Sequence, residues 1–138
     1  MKDLTDVLLE FGEVPEKLVR GTLLGLTSRI IKRSPVANPS TWKNPRKGHV
    51  GGRFRGNWQA TVGAPAAGVL DSKDRAGDKT VDAARTQINK LQMGQNFYLS
   101  NNLPYSHRLE FGWSGQAPNG MLRLSIAELQ QRMNEAGK

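Results

Sequence analysis

Cysteine is absent from all 138 residues of the chain. That excludes disulfide frameworks, thiolate metal sites and cysteine nucleophiles. Histidine is nearly as scarce, with only His49 and His107. Apolar runs are short, as in the stretch LLGL from Leu23 to Leu26. A membrane span needs about 20 apolar residues, so no membrane partner is expected. The opening MKDLTDVLLEFGE carries acids where a signal peptide carries bases, so a cytosolic site of synthesis is expected. Enzyme signatures are lacking too: there is no G-x-S-x-G, no H-E-x-x-H and no close Asp/Glu set for a metal.

Acids are missing from one long region. Between Lys17 and Leu70 there is none, against ten bases. Residues 1–16 are the reverse, with five acids (Asp3, Asp6, Glu10, Glu13, Glu16) against Lys2, a net of −4. The whole chain carries a formal +8. Such asymmetry points to an acidic partner, either nucleic acid or the acidic end of a neighbouring copy.

What is present fits one domain, residues 1–138, with a modest core. Val14 to Pro35 reads as the main helix, with Val19, Leu23, Leu26 and Ile30 at a 4, 3, 4 spacing. Pro35 ends it, because the residue before proline avoids the helical region. Leu4 to Phe11 reads as a helical lead-in stopping at Gly12. Residues 37–56 show no periodicity and read as an extended basic arm. Trp58, Ala60 and Val62 alternate with Gln59 and Thr61, the pattern of a half-buried strand. Residues 64–78 read as an exposed loop. Val81, Ala84, Ile88 and Leu91 predict a second helix with a stop at Gly94. Asn96 to Asn102 reads as a strand, and Pro104 to Gly112 as one or two helical turns. Met121 to Ser125 reads as a short strand, followed by a helix opened by a Ser125–Glu128 capping box. The expected fold class is α+β: a small, mostly antiparallel sheet packed by a long N-terminal helix and two shorter ones, with a long basic loop.

Two groupings invite a chemical reading. His107 and Glu110, at i and i+3, can meet on one helical face, as general acid–base work requires. No motif places a third group beside them. The alternative is structural: Tyr105 and Leu109 pack inward, while Arg108 and Glu110 pair on a surface or across a subunit boundary. The second grouping is GGRFRG, Gly51 to Gly56. Its spacing is not that of a dinucleotide-binding turn, and it precedes a strand instead of following one. Trp42, Phe54 and Trp58 interleave with Lys43, Arg46, Lys47, Arg53 and Arg55, which also fits single-stranded nucleic acid. The structural alternative buries Phe54 and Trp58 and sets the arginines against protein.

Two stretches carry a resemblance. RSPVANP…GGRFRGNW resembles a phage signature in which a helix ends at Ser-Pro-Val and a strand begins near a Trp; Ser34, Pro35, Val36, Gly52, Arg53, Phe54, Arg55, Asn57 and Trp58 match it. NNLPYSHRLEFGWSGQAPNGMLRLSI resembles a second, at Tyr105, Glu110, Gly112, Pro118, Gly120 and Arg123. The chain thereby resembles the gene-10-like tail-completion and head–tail joining group of long-tailed phages. One departure is the insertion of Ala37 to Gly51 into what is usually a tight turn.

The resemblance implies a non-enzymatic virion protein of the head–tail junction, assembled in the host cytoplasm, with no catalytic residues, cofactor or metal. It implies a homo-oligomeric ring, six-fold or alternatively twelve-fold, whose partners are head connector and tail tube proteins, with a contact to packaged DNA left open. A head-completion ring subunit and a small basic nucleic-acid-binding protein are the alternatives. The expected interface residues are Trp42, Lys43, Arg46, Lys47, Arg53, Arg55, Arg108, Glu110 and Arg123. The expected structural positions are Pro35, Trp58, Tyr105, Phe111, Gly112 and Pro118. An acidic face meeting a basic one fits the head-to-tail contacts of a ring.

Overall fold

The apolar stripe of the first helix organises everything else. The structure, a computed structural model, describes residues 16–37, 51–112, 115–117 and 119–136. The expected lead-in Leu4 to Phe11, and Trp42, Lys43, Arg46, Lys47 and Pro118, lie outside the described residues.

Helix α1 (Glu16–Arg33) buries Leu23, Leu26, Thr27, Ile30 and Ile31 on one face. A 3₁₀ turn (Arg55–Asn57) leads into β1 (Trp58–Val62). Then come α2 (Asp78–Lys90), β2 (Phe97–Asn101), the short α3 (Ser106–Glu110) and α4 (Leu122–Ala136). Among the described residues the fold is α+β: four helices around a two-stranded antiparallel sheet. Ala60 pairs with Leu99 and Val62 with Phe97, which sets apolar cross-strand partners on one face. On the other face Gln59 and Thr61 bond the Gly68 and Ala64 carbonyls. Helix α1 packs on α2 and α4, and α2 packs on β1.

The core has two parts. One gathers Leu26, Ile30, Ile31, Phe54, Trp58, Val81, Leu103 and Met121. The other holds Leu23, Ile88, Leu91 and Phe97. Phe54 and Trp58 are thus buried, as the structural alternative for GGRFRG expected, with their rings edge to face at 5.9 Å.

Five expectations need correction. Met121 to Ser125 is not a strand: from Leu122 it is the first part of α4. Ser125 therefore does not cap that helix; it lies inside it, fully buried. Residues 51–56 are not part of an extended arm. The Gly52 carbonyl accepts the N–H groups of both Gly56 and Asp74, closing a tight buried turn. The 64–78 loop is exposed at most positions, but Asp74 and Gly77 within it are buried. Finally, α2 stops at Lys90, short of Gly94. Leu91 turns into extended backbone and buries its side chain in the second core part.

The expected insertion, Ala37 to Gly51, begins and ends at one place. Gln116 reads Val36 as a neighbouring strand would, accepting its N–H at 3.0 Å and donating to its carbonyl at 2.9 Å. Gly51 lies so close to the Ala37 carbonyl that a Cβ there would overlap it.

Candidate functional site

Three charged side chains each finish a helix that they do not belong to. The first is Glu110, at the end of α3. A helix leaves its first N–H groups unpaired, and a carboxylate is the strongest acceptor for them. Glu110 accepts the N–H of Met121 at 3.0 Å, of Leu122 at 2.8 Å and of Arg123 at 3.1 Å. The Arg123 guanidinium adds a bond to the same carboxylate and one to the Glu110 carbonyl. Burial pushes the Glu110 carboxyl up, but these N–H groups and Arg123 outweigh it and hold it below its ordinary value. Gly120 makes the approach possible: its φ is +82°, and a Cβ would collide with the Glu110 carboxylate and carbonyl.

Asp74 does the same for α2. It accepts the N–H of Gly77 at 3.0 Å, and the N–H and hydroxyl of Thr80 at 2.8 Å each. Burial raises its carboxyl, while the two Thr80 bonds, the Gly77 bond and the Lys32 charge lower it further, for a net lowering. Arg55 finishes the other end of α1. It donates to the carbonyls of Ser34 at 2.7 Å and Lys32 at 2.9 Å, and to that of Arg75 at 2.5 Å. Burial lowers its guanidinium from the ordinary value, opposed by the Asp74 charge. Trp58 completes this corner by donating its indole N–H to the buried Ser34 hydroxyl at 2.6 Å.

The expected site residues therefore part company. Arg55 and Glu110 hold helix ends, and Arg123 backs Glu110 while staying 45% exposed. Arg53 and Arg108 are exposed. Pro35 is buried, and Gly112 follows α3 with φ +90°. Tyr105 stays partly exposed with its ring 6.1 Å from Phe54. Phe111 does not anchor α3 in the core: it is 54% exposed, lying against His107 at 4.5 Å and beneath the Arg123 guanidinium at 4.3 Å. The Glu110 carboxylate bonds to residues 121–123, and the His107 ring lies against Phe111. Among the described residues no group of three His, Asp or Glu could hold a metal, and no helix is long and apolar enough to cross a membrane.

Sequence reasoning missed three features. Asp74 sits four residues before α2 in a run, DRAGD, whose Asp and Gly are turn residues; that is the one local signal for it. Ser34 shows in the sequence only as part of the Ser-Pro-Val run. The third is the joint between α1 and α4, where Arg33 grips both oxygens of Glu128 at 2.8 and 2.7 Å and reaches Ser125 at 3.1 Å. Hydrogen bonding from Arg33 lowers the Glu128 carboxyl, with Arg29 and Arg132 adding attraction from farther off. Three arginines thus surround one carboxylate. Beside them lies an open cleft of about 340 Å³, lined by Lys32, Arg33, Arg55, Gln116 and Leu124 among others.

No protein-family model, curated protein or solved structure matches the chain.

Proposed function

We propose that the chain is a structural virion protein of a tailed phage, a tail-completion or neck subunit that joins the tail to the head connector as a ring. One observation carries the reading. The motif positions behind the resemblance, far apart in sequence, meet at two pivots of one α+β domain. Ser34, Arg55 and Trp58 are hydrogen-bonded at the end of α1. Glu110, Gly120 and Arg123 form the start of α4. Positions that close a fold are the ones a set of related chains would share, whatever each docks against. The separation of acid (residues 1–16) from base supports a directional, head-to-tail contact.

The deciding experiment is the native mass of the purified protein, alone and beside purified tail tubes. A closed ring that caps tube ends supports the proposal. A monomer at every concentration that leaves tube ends bare excludes it.

A second reading, nucleic-acid binding, draws on the gathering of Arg29, Arg33 and Arg132 around Glu128. A salt titration separates the two. Phosphate-driven binding weakens steeply with salt, whereas a docked ring with apolar contact persists.

A further inference from the structure

The open cleft of about 340 Å³ at the end of α1 gathers three cations, Lys32, Arg33 and Arg55, with Gln116, Gly120 and Leu124 beside them. No Asp or Glu is among its described lining residues. Each cation is held by the fold, yet none has used all its donors. An ammonium has three N–H bonds and a guanidinium five. Lys32 keeps one beyond its bonds to the Ala76 carbonyl and to Asp78. Arg33 keeps its Nε–H, since its bonds to Ser125 and Glu128 run from the two Nη atoms. Arg55 keeps one Nη1–H, its other donors going to the carbonyls of Ser34, Lys32 and Arg75.

The acceptors in the lining are engaged elsewhere. The Gln116 amide oxygen takes the Val36 N–H, the Ser34 hydroxyl takes the Trp58 indole, and the Ala117 carbonyl takes the Gly120 N–H. Burial disfavours the Arg55 charge, and the Asp74 carboxylate offsets only part of that. An anion in the cleft would favour the charged form. Behind Arg33, Arg29 and Arg132 add attraction on Glu128, so the surroundings stay positive even with that carboxylate present.

We infer that this cleft is a binding site for a phosphate group. The unused donors belong to three side chains from two stretches of chain, α1 and the 3₁₀ turn. A tetrahedral anion, with oxygens on several sides, can meet more of them than a planar carboxylate can. Arginine forks and a lysine point charge are the side chains that suit phosphate. Their bonds to the fold hold them in place before the ligand arrives, which lowers the ordering cost of binding. The inference does not depend on the ring proposal. A small phosphate ester and a nucleic-acid strand share this chemistry, and the test separates them.

Sodium phosphate is titrated into the full chain at about pH 7, where phosphate is largely doubly charged. Sodium chloride is adjusted to hold the ionic strength constant, and backbone amide shifts are followed by NMR. Saturating shifts are expected at Arg33, Ala117, Gly120 and Leu124, with none at Thr86, exposed on α2. Lys32→Gln removes a donor, and Leu124→Glu sets a carboxylate in the cleft. Each is expected to weaken binding about tenfold or more. Lys90→Gln makes the same loss of charge outside the cleft and is expected to leave the midpoint unchanged. The Leu124 variant keeps the Lys32 bonds to Ala76 and Asp78, so the test stands even if loss of Lys32 unsettles α2. Shifts that do not saturate, equal shifts at Thr86, or one midpoint for the parent and all three variants would overturn the inference. A short oligothymidylate without a terminal phosphate forms the second arm. If it moves the same amides and displaces phosphate, the group is the diester of a nucleic-acid strand. If phosphate binds and the strand does not, the ligand is a small phosphate ester. Both results stand with the inference.

Discussion

Glu110 accepts the backbone N–H of Leu122, 12 residues further on, at 2.8 Å, and so holds the end of one helix to the beginning of another. Its side chain is only 12% exposed and has four donors around it. Truncation would leave those N–H groups without their acceptor. Glu110→Ala is expected to lower the unfolding free energy by roughly 2–3 kcal/mol, the sum of a lost cap and stranded donors. Glu110→Gln, which keeps one acceptor oxygen, is expected to cost about half as much. Urea unfolding of the two variants checks the order. Equal stability of both with the parent would make this carboxylate a bystander.

Acid should loosen both capped helices. The folded-state carboxyls of Asp74 and Glu110 lie below their ordinary values. Their contribution is therefore complete above the unfolded-state values, about 3.9 and 4.3, and is lost as pH falls through the lower folded values. Urea midpoints are expected to be flat from pH 7 to about 5 and to drop below about pH 4. Asp74→Asn should reduce the steepness of that drop. A parent protein whose midpoint does not change down to pH 2.5 would refute the linkage.

Gly120 is expected to tolerate no side chain. Its positive φ and its contact with Glu110 both oppose a Cβ. Gly120→Ala should cost roughly 2–4 kcal/mol, about 1–2 of it from the backbone alone. Combining it with Glu110→Ala removes the collision with the carboxylate, so the two losses should add to less than their sum. Strict additivity in a double-mutant cycle would contradict the contact.

Thr27 points the other way. It is fully buried on α1, and its hydroxyl is without a hydrogen-bond partner among the described residues. Thr27→Val keeps the branched shape and removes the stranded hydroxyl. A gain of roughly 1–2 kcal/mol is expected, visible as a rise in melting temperature. A loss would mean that the hydroxyl has a partner, such as a bound water.

The long elements were legible because their apolar spacing decides them. The stripe through Leu23, Leu26 and Ile30 is buried, and Trp58, Ala60 and Val62 all pack on the core. The start of α4 was not legible. Met-Leu-Arg-Leu-Ser alternates like a strand, and what makes it helical is a carboxylate 11 to 13 residues away. Glu110 itself stood out as a lone acid among bases. Charge, however, says nothing of the backbone N–H groups it holds. Asp74 was hidden because its partners, Gly77 and Thr80, look like ordinary loop and helix residues. Local pattern carries the elements; the joints between them depend on contacts that the chain makes only once folded.

Ala37 and Gly51 meet, and Gln116 clamps the strand-like Val36 beside them. The two ends of positions 38–50 therefore meet at one spot on the domain. Because the entropy of closing a loop grows only slowly with its length, shortening or lengthening the passage between those two residues changes the closure entropy little. It is the natural place for a graft, whether made by evolution to suit a new neighbour or by an experimenter inserting a tag.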